Sequence, residues 1–449
     1  MEFVTFWEEN DMVSASNFIS VDKELLKNSA NAFLPKIAII PLFEDDDESS
    51  EVLVSEGTLV KEGEVIAKSR GLFIHSSVPG LVQKIVQCQY SNGKQGLCAH
   101  IALKGSFSFL AKQLPAKNWQ NYDTSTILFL LKEMGLSNTF EKNTPLFTQI
   151  KDNSFSNGIL VLRLFDSDPS ILTESFISKK FLPHVLEGAG IVAKAFSAKT
   201  IIIAYSEAEN DSQKEALESL VTTKKTELFS SAAEVFAVGL DTTKYPCGSM
   251  HDIVSQVKKT YKSDFFSKLG KKDLFIDSIT ALHAYNALVL GKPVTTSYVH
   301  VTGECLNSAA ILNIRIGTPL SYIVEQCGGF KRNLSKIVIN GIVKGVAVSS
   351  LDIPIGRSVK SIEFIPKGKV RQQHTKNCIR CGNCRKICPV LLWPGNLYRI
   401  AHVENSSQND RAIRQTAILC TECGLCNSVC SSRLPLSQTI SLLKDSGNE

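Results

Sequence analysis

Residues 378–389 read CIRCGNCRKICP, and residues 420–430 read CTECGLCNSVC. Both segments follow the spacing C-x2-C-x2-C-x3-C and have glycine directly after the second cysteine, while a proline follows the last cysteine only in the first segment. Together they hold eight of the 13 cysteines in the chain. Such a dense and repeated pattern requires a chemical cause, and it sets the last part of the chain apart from the rest.

The repeated spacing predicts two [4Fe-4S] clusters. Three thiolates separated by two residues each can surround three corners of an iron–sulfur cube, while the fourth cysteine lies four residues further on and points away. In two-cluster ferredoxins this fourth cysteine ligates the other cluster. The predicted ligands of cluster 1 are Cys378, Cys381, Cys384 and Cys430. The predicted ligands of cluster 2 are Cys420, Cys423, Cys426 and Cys388.

A pair of structural zinc sites is the alternative, because C-x2-C steps also occur in such sites. Zinc needs four ligands per site, however, and does not explain why C-x2-C-x2-C occurs twice. The other five cysteines are scattered, and we interpret them as small apolar side chains of protein cores: Cys88, Cys98, Cys247, Cys305 and Cys327. The first ten residues are acidic and contain no Lys or Arg, unlike a secretory leader, so we expect a cytoplasmic chain with reduced cysteines.

The composition predicts a soluble protein of several domains. The chain has 449 residues, of which 43% are hydrophobic and 21% charged, which excludes a mostly disordered or collagen-like chain. Its longest apolar runs fall far short of the roughly 18 residues that a membrane-spanning helix needs. A net charge of +5 on this length does not indicate a nucleic-acid partner.

Basic residues are concentrated just before and within the first cysteine segment. Between Arg357 and Arg399 the only acidic residue is Glu363, while Lys and Arg recur throughout. Three interpretations remain open for this stretch: it offsets the negative charge of the clusters, it docks an acidic electron carrier, or it is a solvated face.

Patterning divides the chain into five regions. Alternating apolar residues with glycine at the turns predict a biotinyl/lipoyl-like β-sandwich over 51–106, after an N-terminal segment 1–50. Helices alternating with buried strands predict an open α/β layer domain over 120–295. Renewed β character around Asn340-Gly341 predicts a β-grasp module over 296–366, followed by a helical two-cluster ferredoxin domain over 371–449. Gly188-Ala-Gly190 follows a helix instead of a strand, so it indicates helix packing and not a dinucleotide loop.

Four further segments, together with the cysteine repeat, support a family resemblance. They read ALVLGKP (287–293), VHVTGE (299–304), RIGTP (315–319) and CSSRLPL (430–436). The chain resembles the C component of the bacterial Rnf electron transport complex over nearly its whole length. The resemblance implies a soluble-ligand-binding β-grasp and an α/β domain like that of the flavin-bearing subunit of respiratory complex I. It also implies a peripheral protein on the cytoplasmic face of the inner membrane, which passes electrons between NADH and integral membrane subunits while ions are moved.

The flavin and NADH motifs of that family are only partly present. A G-x-G-G-A-G-F-P loop corresponds to GLSNTFEK (135–142), which has one glycine. An N-G-x-E-x-E-P motif corresponds to LRLFDSDP (162–169), and an R-Y-P-x-G-G-E motif corresponds to KYPCGSM (244–250). By resemblance, the candidate flavin and NADH residues are Gly135, Asp166, Asp168, Tyr245 and Gly248. Because bulky side chains stand where a bare backbone is needed beneath a flavin, we expect FMN to bind weakly or not at all.

The leading hypothesis is therefore an electron-transfer subunit of an Rnf-type complex that does not itself oxidise NADH. Electrons would then come from a one-electron donor such as a ferredoxin, docking near Lys376, Arg380, Arg385 and Lys386. A soluble NADH- or flavin-linked iron–sulfur dehydrogenase and a non-redox assembly scaffold remain as alternatives.

Overall fold

The computed structural model describes residues 13–14, 23–43, 50–69, 71–110, 112–152, 157–208, 210–229, 234–368, 374–402 and 408–446. The chain divides into two compact units. The first unit comprises Met1–Gly341 and Val346–Lys367, and the second unit comprises Ile342–Gly345 and Gly368–Glu449. The acidic run Asp45–Glu48, predicted to be a solvated loop, lies outside the described residues.

The described β-strands all belong to the first unit. They are β1 (Val13–Ser14), β2 (Ala30–Asn31), β3 (Ile37–Pro41), β4 (Glu51–Val52), β5 (Leu59–Val60), β6 (Val65–Ser69), β7 (Leu72–His75), β8 (Gly80–Gln89), β9 (Gln95–Leu103), β10 (Ser137–Asn138), β11 (Thr144–Pro145), β12 (Ile159–Arg163), β13 (Thr200–Ser206), β14 (Glu234–Leu240), β15 (Lys244–Tyr245), β16 (Leu274–Asp277), β17 (Thr296–Thr302), β18 (Ala310–Arg315), β19 (Leu334–Ile339), β20 (Val346–Val348) and β21 (Ser361–Pro366).

The helices occur in both units. In the first unit they are α1 (Thr124–Glu133), α2 (Leu146–Asp152), α3 (Thr173–Lys180), α4 (Leu182–Ala195), α5 (Asn210–Leu228), α6 (Met250–Thr260), α7 (Asp264–Ser267), α8 (Ser278–Leu288) and α9 (Leu320–Gln326). In the second unit they are α10 (Asn383–Lys386), α11 (Pro394–Ala401), α12 (Gln408–Gln415), α13 (Leu425–Ser428) and α14 (Leu436–Ser446). Short 3-10 helices cover Lys23–Lys27, Trp119–Asn121 and Thr416–Leu419.

A sandwich of two antiparallel sheets forms the beginning of the first unit. One sheet has the strand order β3-β9-β8-β5, and the other has β4-β6-β7. Alternate residues of these strands point inward, so Ile40, Ile66 and Ile101 are completely buried between the sheets. A turn at Asn92-Gly93 joins β8 and β9, which pair on either side of it, and Gly93 has a φ of 84°.

A parallel four-stranded sheet with the order β14-β13-β12-β16 forms the α/β layer. Helices α4 and α8 pack against each other beside this sheet, and their contact is very close. A Cβ atom on Gly188 would collide with the Ala281 carbonyl oxygen, and one on Gly190 with the Leu228 carbonyl oxygen. The interpretation of Gly188-Ala-Gly190 as a packing site is therefore confirmed.

A six-stranded sheet with the order β2-β18-β17-β21-β19-β20 and helix α9 occupy the region predicted to be a β-grasp module, which we call the β-grasp part. Its edge strand β2 comes from the beginning of the chain, where Ala30 and Asn31 pair in parallel with Leu312 and Asn313. This six-stranded arrangement encloses its own core, which includes Val301, Ile314 and Phe364.

The second unit consists of short helices and the two cysteine segments. Leu397 and Ile400 of α11 are completely buried, and Leu397 packs with Ile440 of α14. The helical periodicity predicted for this region is confirmed. No helix within the described ranges combines the length and apolar character needed to cross a bilayer.

Candidate iron–sulfur centre

The two cysteine segments have the same backbone conformation. Arg380 and Glu422, each two residues after the first cysteine of its segment, both have a φ of 55°. Gly382 and Gly424 follow with φ values of 80° and 73°, and each begins a one-turn helix, α10 or α13. Left-handed backbone is costly for a side chain but not for glycine, which explains the glycine after each second cysteine.

The first set of predicted ligands comes together from both ends of the second unit. Lys376 N donates to the Ser432 carbonyl oxygen at 2.9 Å, and Ser432 Oγ donates to the Asn377 carbonyl oxygen at 2.9 Å. These bonds tie the chain before Cys378 to the chain after Cys430. Burial raises the pKa of the Cys384 thiol, and negative charge on Cys378, Cys381 and Cys430 raises that pKa further.

The second set lines a small pocket. Its thiol lining consists of Cys388, Cys420, Cys423 and Cys426, which are the four cysteines predicted to share cluster 2. Apolar side chains complete the wall: Val390, Leu392 and Ile440. Burial raises the pKa of Cys420 to about 11, so in the absence of metal this thiol keeps its proton.

Backbone amides point toward several sulfur atoms. Glu422 N donates to Cys420 Sγ at 3.4 Å, and Leu434 N donates to Cys430 Sγ at the same distance. Hydrogen bonds to ligand sulfurs are one way in which a protein tunes the potential of an iron–sulfur cluster. All 13 cysteines lie in the described part of the chain, and no disulfide joins any two of them. Soft thiol donors in two groups of four fit the ligand requirement of [4Fe-4S] clusters.

No three His, Cys, Asp or Glu side chains in the described ranges are close enough to bind a single metal ion.

The two groups of thiols differ in exposure. Cys378 and Cys381 are exposed, whereas Cys423 and Cys426 are each only 8% exposed. Three large apolar side chains within residues 379–393 also face solvent: Ile379 is 67% exposed, Leu391 79% and Trp393 52%.

Basic side chains accompany these apolar residues. The Arg385 guanidinium lies 4.2 Å from the centre of the Trp393 ring. Arg380 and Lys386, which are near Arg385 in the sequence, are exposed. We call Ile379, Arg380, Arg385, Lys386, Leu391 and Trp393 the basic apolar surface.

The residues proposed for flavin or NADH lie at the carboxyl ends of the α/β strands or in turns. Asp166 accepts hydrogen bonds from the Glu174 and Ser175 amides, both at 2.9 Å, so its carboxylate faces the beginning of α3. Asp168 accepts from the backbone amide and hydroxyl of Ser170 at 2.9 and 2.6 Å. These hydrogen bonds are made within the protein itself.

The other three candidates are engaged in packing. Gly135 has a φ of 74°, and a Cβ atom there would lie 2.5 Å from the Phe73 carbonyl oxygen of the sandwich. Tyr245 is 1% exposed, and its backbone pairs with Val13 in a two-residue ladder. Gly248 has a φ of 83°, and its carbonyl oxygen accepts a hydrogen bond from Arg163 at 2.7 Å. The residues of this region do not fit a flavin.

Sequence reasoning missed the charged residues that fill this region. Arg163, Glu174, Asp277 and Lys360 form a buried network of ion pairs. One local signal was present, because Arg163 is a charged residue at the end of the otherwise apolar strand β12. Its partners lie far away in the sequence.

Known proteins and family models match this arrangement of domains. Residues 22–106 match the model described as the RnfC barrel sandwich hybrid domain, 298–345 match the SLBB domain, and 374–434 match the 4Fe-4S dicluster domain. The chain is homologous to RnfC. The RnfC-type sandwich, the SLBB domain and the iron–sulfur domain occur in the order expected from the sequence, within a mixed α/β protein.

Relatives match this chain over most of its length. The C component of an ion-translocating oxidoreductase complex from Methanosarcina acetivorans is 26% identical over 89% of this chain and 88% of that protein. The component of the same name from Rhodobacter capsulatus is 24% identical over 82% and 70%. The C component of a Na+-translocating ferredoxin:NAD+ oxidoreductase complex from Acetobacterium woodii is 22% identical over 81% of both chains.

Proposed function

We propose that this chain is the electron-transfer subunit of an Rnf-type ion-translocating oxidoreductase and carries two [4Fe-4S] clusters with crossed ligation. The observation that carries this proposal is the cavity in which Cys388 of the first segment joins Cys420, Cys423 and Cys426 of the second. When bound, such clusters accept and release single electrons. Crossed ligation brings the two centres close together, as a relay requires.

The residues around the thiols have defined tasks in this proposal. Cys378, Cys381, Cys384 and Cys430 hold cluster 1, and the hydrogen bonds of Ser432 with Lys376 and Asn377 keep the two parts of this ligand set together. The apolar wall formed by Val390, Leu392 and Ile440 excludes water from cluster 2. Exchange with a partner therefore takes place at cluster 1, where Cys378 and Cys381 are exposed.

The basic apolar surface is the proposed docking site for an acidic one-electron carrier protein of the ferredoxin type. Exposed Trp393 and Leu391 supply apolar area at the centre of the contact, while Arg380, Arg385 and Lys386 attract acidic side chains. The wider stretch of Lys and Arg reduces the cost of placing negative clusters here. Lys369 and Arg371 of that stretch lie outside the described residues.

We further propose that the chain acts as a peripheral subunit on the cytoplasmic face of the cell membrane, held there by integral membrane subunits. This proposal is supported by the names of the relatives, all of which belong to ion-translocating complexes. The domain boundaries predicted at 51–106, 120–295, 296–366 and 371–449 are part of the same proposal.

Iron, acid-labile sulfide and EPR analysis of the anaerobically purified chain test the proposal. We expect eight iron and eight sulfide per chain, as two [4Fe-4S] clusters require, and two interacting reduced-state signals. Clusters that a ferredoxin cannot reduce would favour the alternative of a non-redox assembly scaffold. Zinc in place of iron after anaerobic purification from iron-replete cells would contradict the cluster assignment.

A further inference from the structure

The α/β sheet of the first unit has the kind of crevice at which such folds bind ligands. From β12 the chain proceeds to β13 and β14 on one side, and it later adds β16 on the other side. In open α/β sheets, ligands bind beyond the carboxyl ends of the strands at the point where the strand order reverses. Here that point lies between β12 and β16, whose last residues, Arg163 and Asp277, are paired in register.

The Arg163 side chain fills one side of this crevice. It is 1% exposed, and its Nε and Nη2 atoms donate to Glu174 Oε2 and Oε1 at 2.9 and 2.7 Å. Nη1 donates to the Gly248 carbonyl oxygen at 2.7 Å, and Nη2 also donates to that of Phe140 at 3.2 Å. The guanidinium carbon lies 4.3 Å from the centre of the Phe140 ring. The arginine is thus held on every side by protein atoms.

The Asp277 carboxylate occupies the other side, at the beginning of α8. Its Oδ1 atom accepts from the Thr280 amide at 2.8 Å, and Oδ2 accepts from the Thr139 hydroxyl at 2.8 Å. Backbone amides at the start of a helix that follows a strand are the usual place for a ligand phosphate. Burial opposes the charge on Asp277, but Lys360 and Arg163 more than offset it and hold the pKa below its usual value.

Lys360 closes the network from outside the α/β layer. It directly precedes β21 of the β-grasp part, and its Nζ atom donates to both Glu174 Oε1 and Asp277 Oδ2 at 2.7 Å. The two cations and two carboxylates are 12% exposed or less. Four charges of balanced sign thereby satisfy one another without any bound ligand.

We propose that this crevice is permanently filled by the chain's own side chains, with Asp277 standing where a phosphate would bind, and that it takes neither FMN nor a nicotinamide dinucleotide. Instead, Lys360 enters this crevice, which we call the socket, and its ion pairs with Glu174 and Asp277 hold the β-grasp part against the α/β layer. A ligand could enter only if Lys360 and Arg163 gave up buried ion pairs. The inference concerns the first unit, so it can fail while the cluster proposal holds, and the reverse is also true.

The first test uses the anaerobically purified, cluster-replete full chain. We expect acid extraction to release no FMN, added FMN or NADH to leave the melting temperature unchanged, and NADH to leave the visible cluster absorbance unbleached while reduced ferredoxin bleaches it. Stoichiometric FMN in the extract, or a rise in melting temperature with FMN, would overturn the inference whatever the clusters do.

The second test addresses the socket through Lys360→Met, with Lys336→Met as the matched control. Lys336 lies on β19 of the same sheet and is exposed. We expect the Lys360 variant to melt at a lower temperature than the wild type, and the control to match the wild type. Equal melting of all three proteins would show that Lys360 is not a fastening residue.

A milder variant covers the case in which Lys360→Met does not fold. Asp277→Asn keeps an oxygen for the Thr280 amide but removes one charge paired with Lys360. Replacing Lys360 by Arg in the same series keeps the charge. We expect Asp277→Asn to melt lower and Lys360→Arg to recover part of the loss seen with Lys360→Met. Destabilisation by Lys360→Arg as large as that by Lys360→Met would contradict the role of the paired charge.

Discussion

The Arg163 guanidinium and the Glu174 carboxylate form a two-point ion pair in the first unit, through contacts of 2.9 and 2.7 Å, with both side chains 1% exposed. Removing one partner of such a pair leaves the other charged in a medium of low dielectric constant. For this reason the pair is more informative about the role of the α/β layer than the many ion pairs on the surface.

Arg163→Met is expected to lower the free energy of unfolding by about 3 to 5 kcal/mol, because Glu174 then retains only one of its two cations. Urea denaturation followed by tryptophan fluorescence measures this change. The matched control is Lys27→Met, which breaks an ion pair whose side chains are 67% and 73% exposed and which we expect to cost less than about 1 kcal/mol. Similar losses for both variants would contradict the buried network.

Cys388→Ser is expected to damage cluster 2, although Cys388 belongs to the first segment in the sequence. With crossed ligation, Cys388 binds cluster 2 together with Cys420, Cys423 and Cys426, so the serine removes one of the four ligands of that cluster. Cys384→Ser should instead damage cluster 1, and EPR spectra of the reduced proteins distinguish the two. Cys327→Ser, at a buried thiol of the first unit, is the control and should keep both signals. If Cys388→Ser and Cys384→Ser abolish the same signal, the crossover is wrong.

Gly395→Leu is expected to impair cluster 1 without affecting cluster 2. A Cβ atom at position 395 would lie 3.4 Å from Cys384 Sγ and 3.9 Å from Cys378 Sγ, so a larger side chain enters the space between these thiols. The iron content should fall toward half. Gly270→Leu is the control, because the nearest atom to its Cβ position is 3.9 Å away and its backbone does not have a positive φ. Retention of full iron by Gly395→Leu would place cluster 1 elsewhere.

Stability is expected to fall as the pH rises from about 4 to about 7, through the Asp166 carboxyl. Burial and then the nearby Glu174 charge raise its pKa to about 7, so the folded protein binds a proton that the unfolded chain has already released. More protons bound in the folded state means that the free energy of unfolding decreases with rising pH in that window. Asp166→Asn should flatten this part of the pH profile of the melting temperature. An unchanged slope would exclude Asp166 as its source.

Reversing two charges of the basic apolar surface is expected to slow reduction by a ferredoxin. The double variant Arg385→Glu, Lys386→Glu should lower the second-order rate constant about tenfold at low salt, because long-range attraction steers the encounter. Stopped-flow reduction of the clusters measures this rate constant. In 0.5 M salt, where the Debye length is about 4 Å, most of the difference in rate between the variant and the wild type should disappear. The control is the double variant Lys258→Glu, Lys259→Glu, at two exposed positions of α6, which changes the net charge by the same amount. Equal slowing by both double variants would show that no docking surface is involved.

The sequence predicts best those features that depend on residues close together in the chain. The cysteine spacing is local, and the glycines at 382 and 424 that belong to it have the left-handed backbone at which α10 and α13 begin. The Asn340-Gly341 turn also has positive φ at both residues, but its second strand begins only at Val346, later than the apolar residues after the turn suggest. Turn chemistry therefore gave the position of the turn but not the length of the loop.

The charged network could not be predicted because its partners are distant. Lys360 is 186 residues from Glu174 and 83 residues from Asp277, and no local pattern relates them. The shortage of glycines at 135–142 predicts weak flavin binding, whereas the side chains that fill the crevice became visible only in the fold. Buried charges pair by three-dimensional proximity, which periodicity and spacing do not encode.

The two cysteine loops share one backbone conformation but lie in unlike surroundings. Arg380 and Gly382 stand in solvent or near it, whereas Cys423 and Cys426 are enclosed by apolar side chains. An added electron is stabilised by water around the first loop, but hardly at all around the second. The two clusters that we propose would therefore sit in surroundings of different polarity, and we expect them to differ in reduction potential although their ligand motifs are the same.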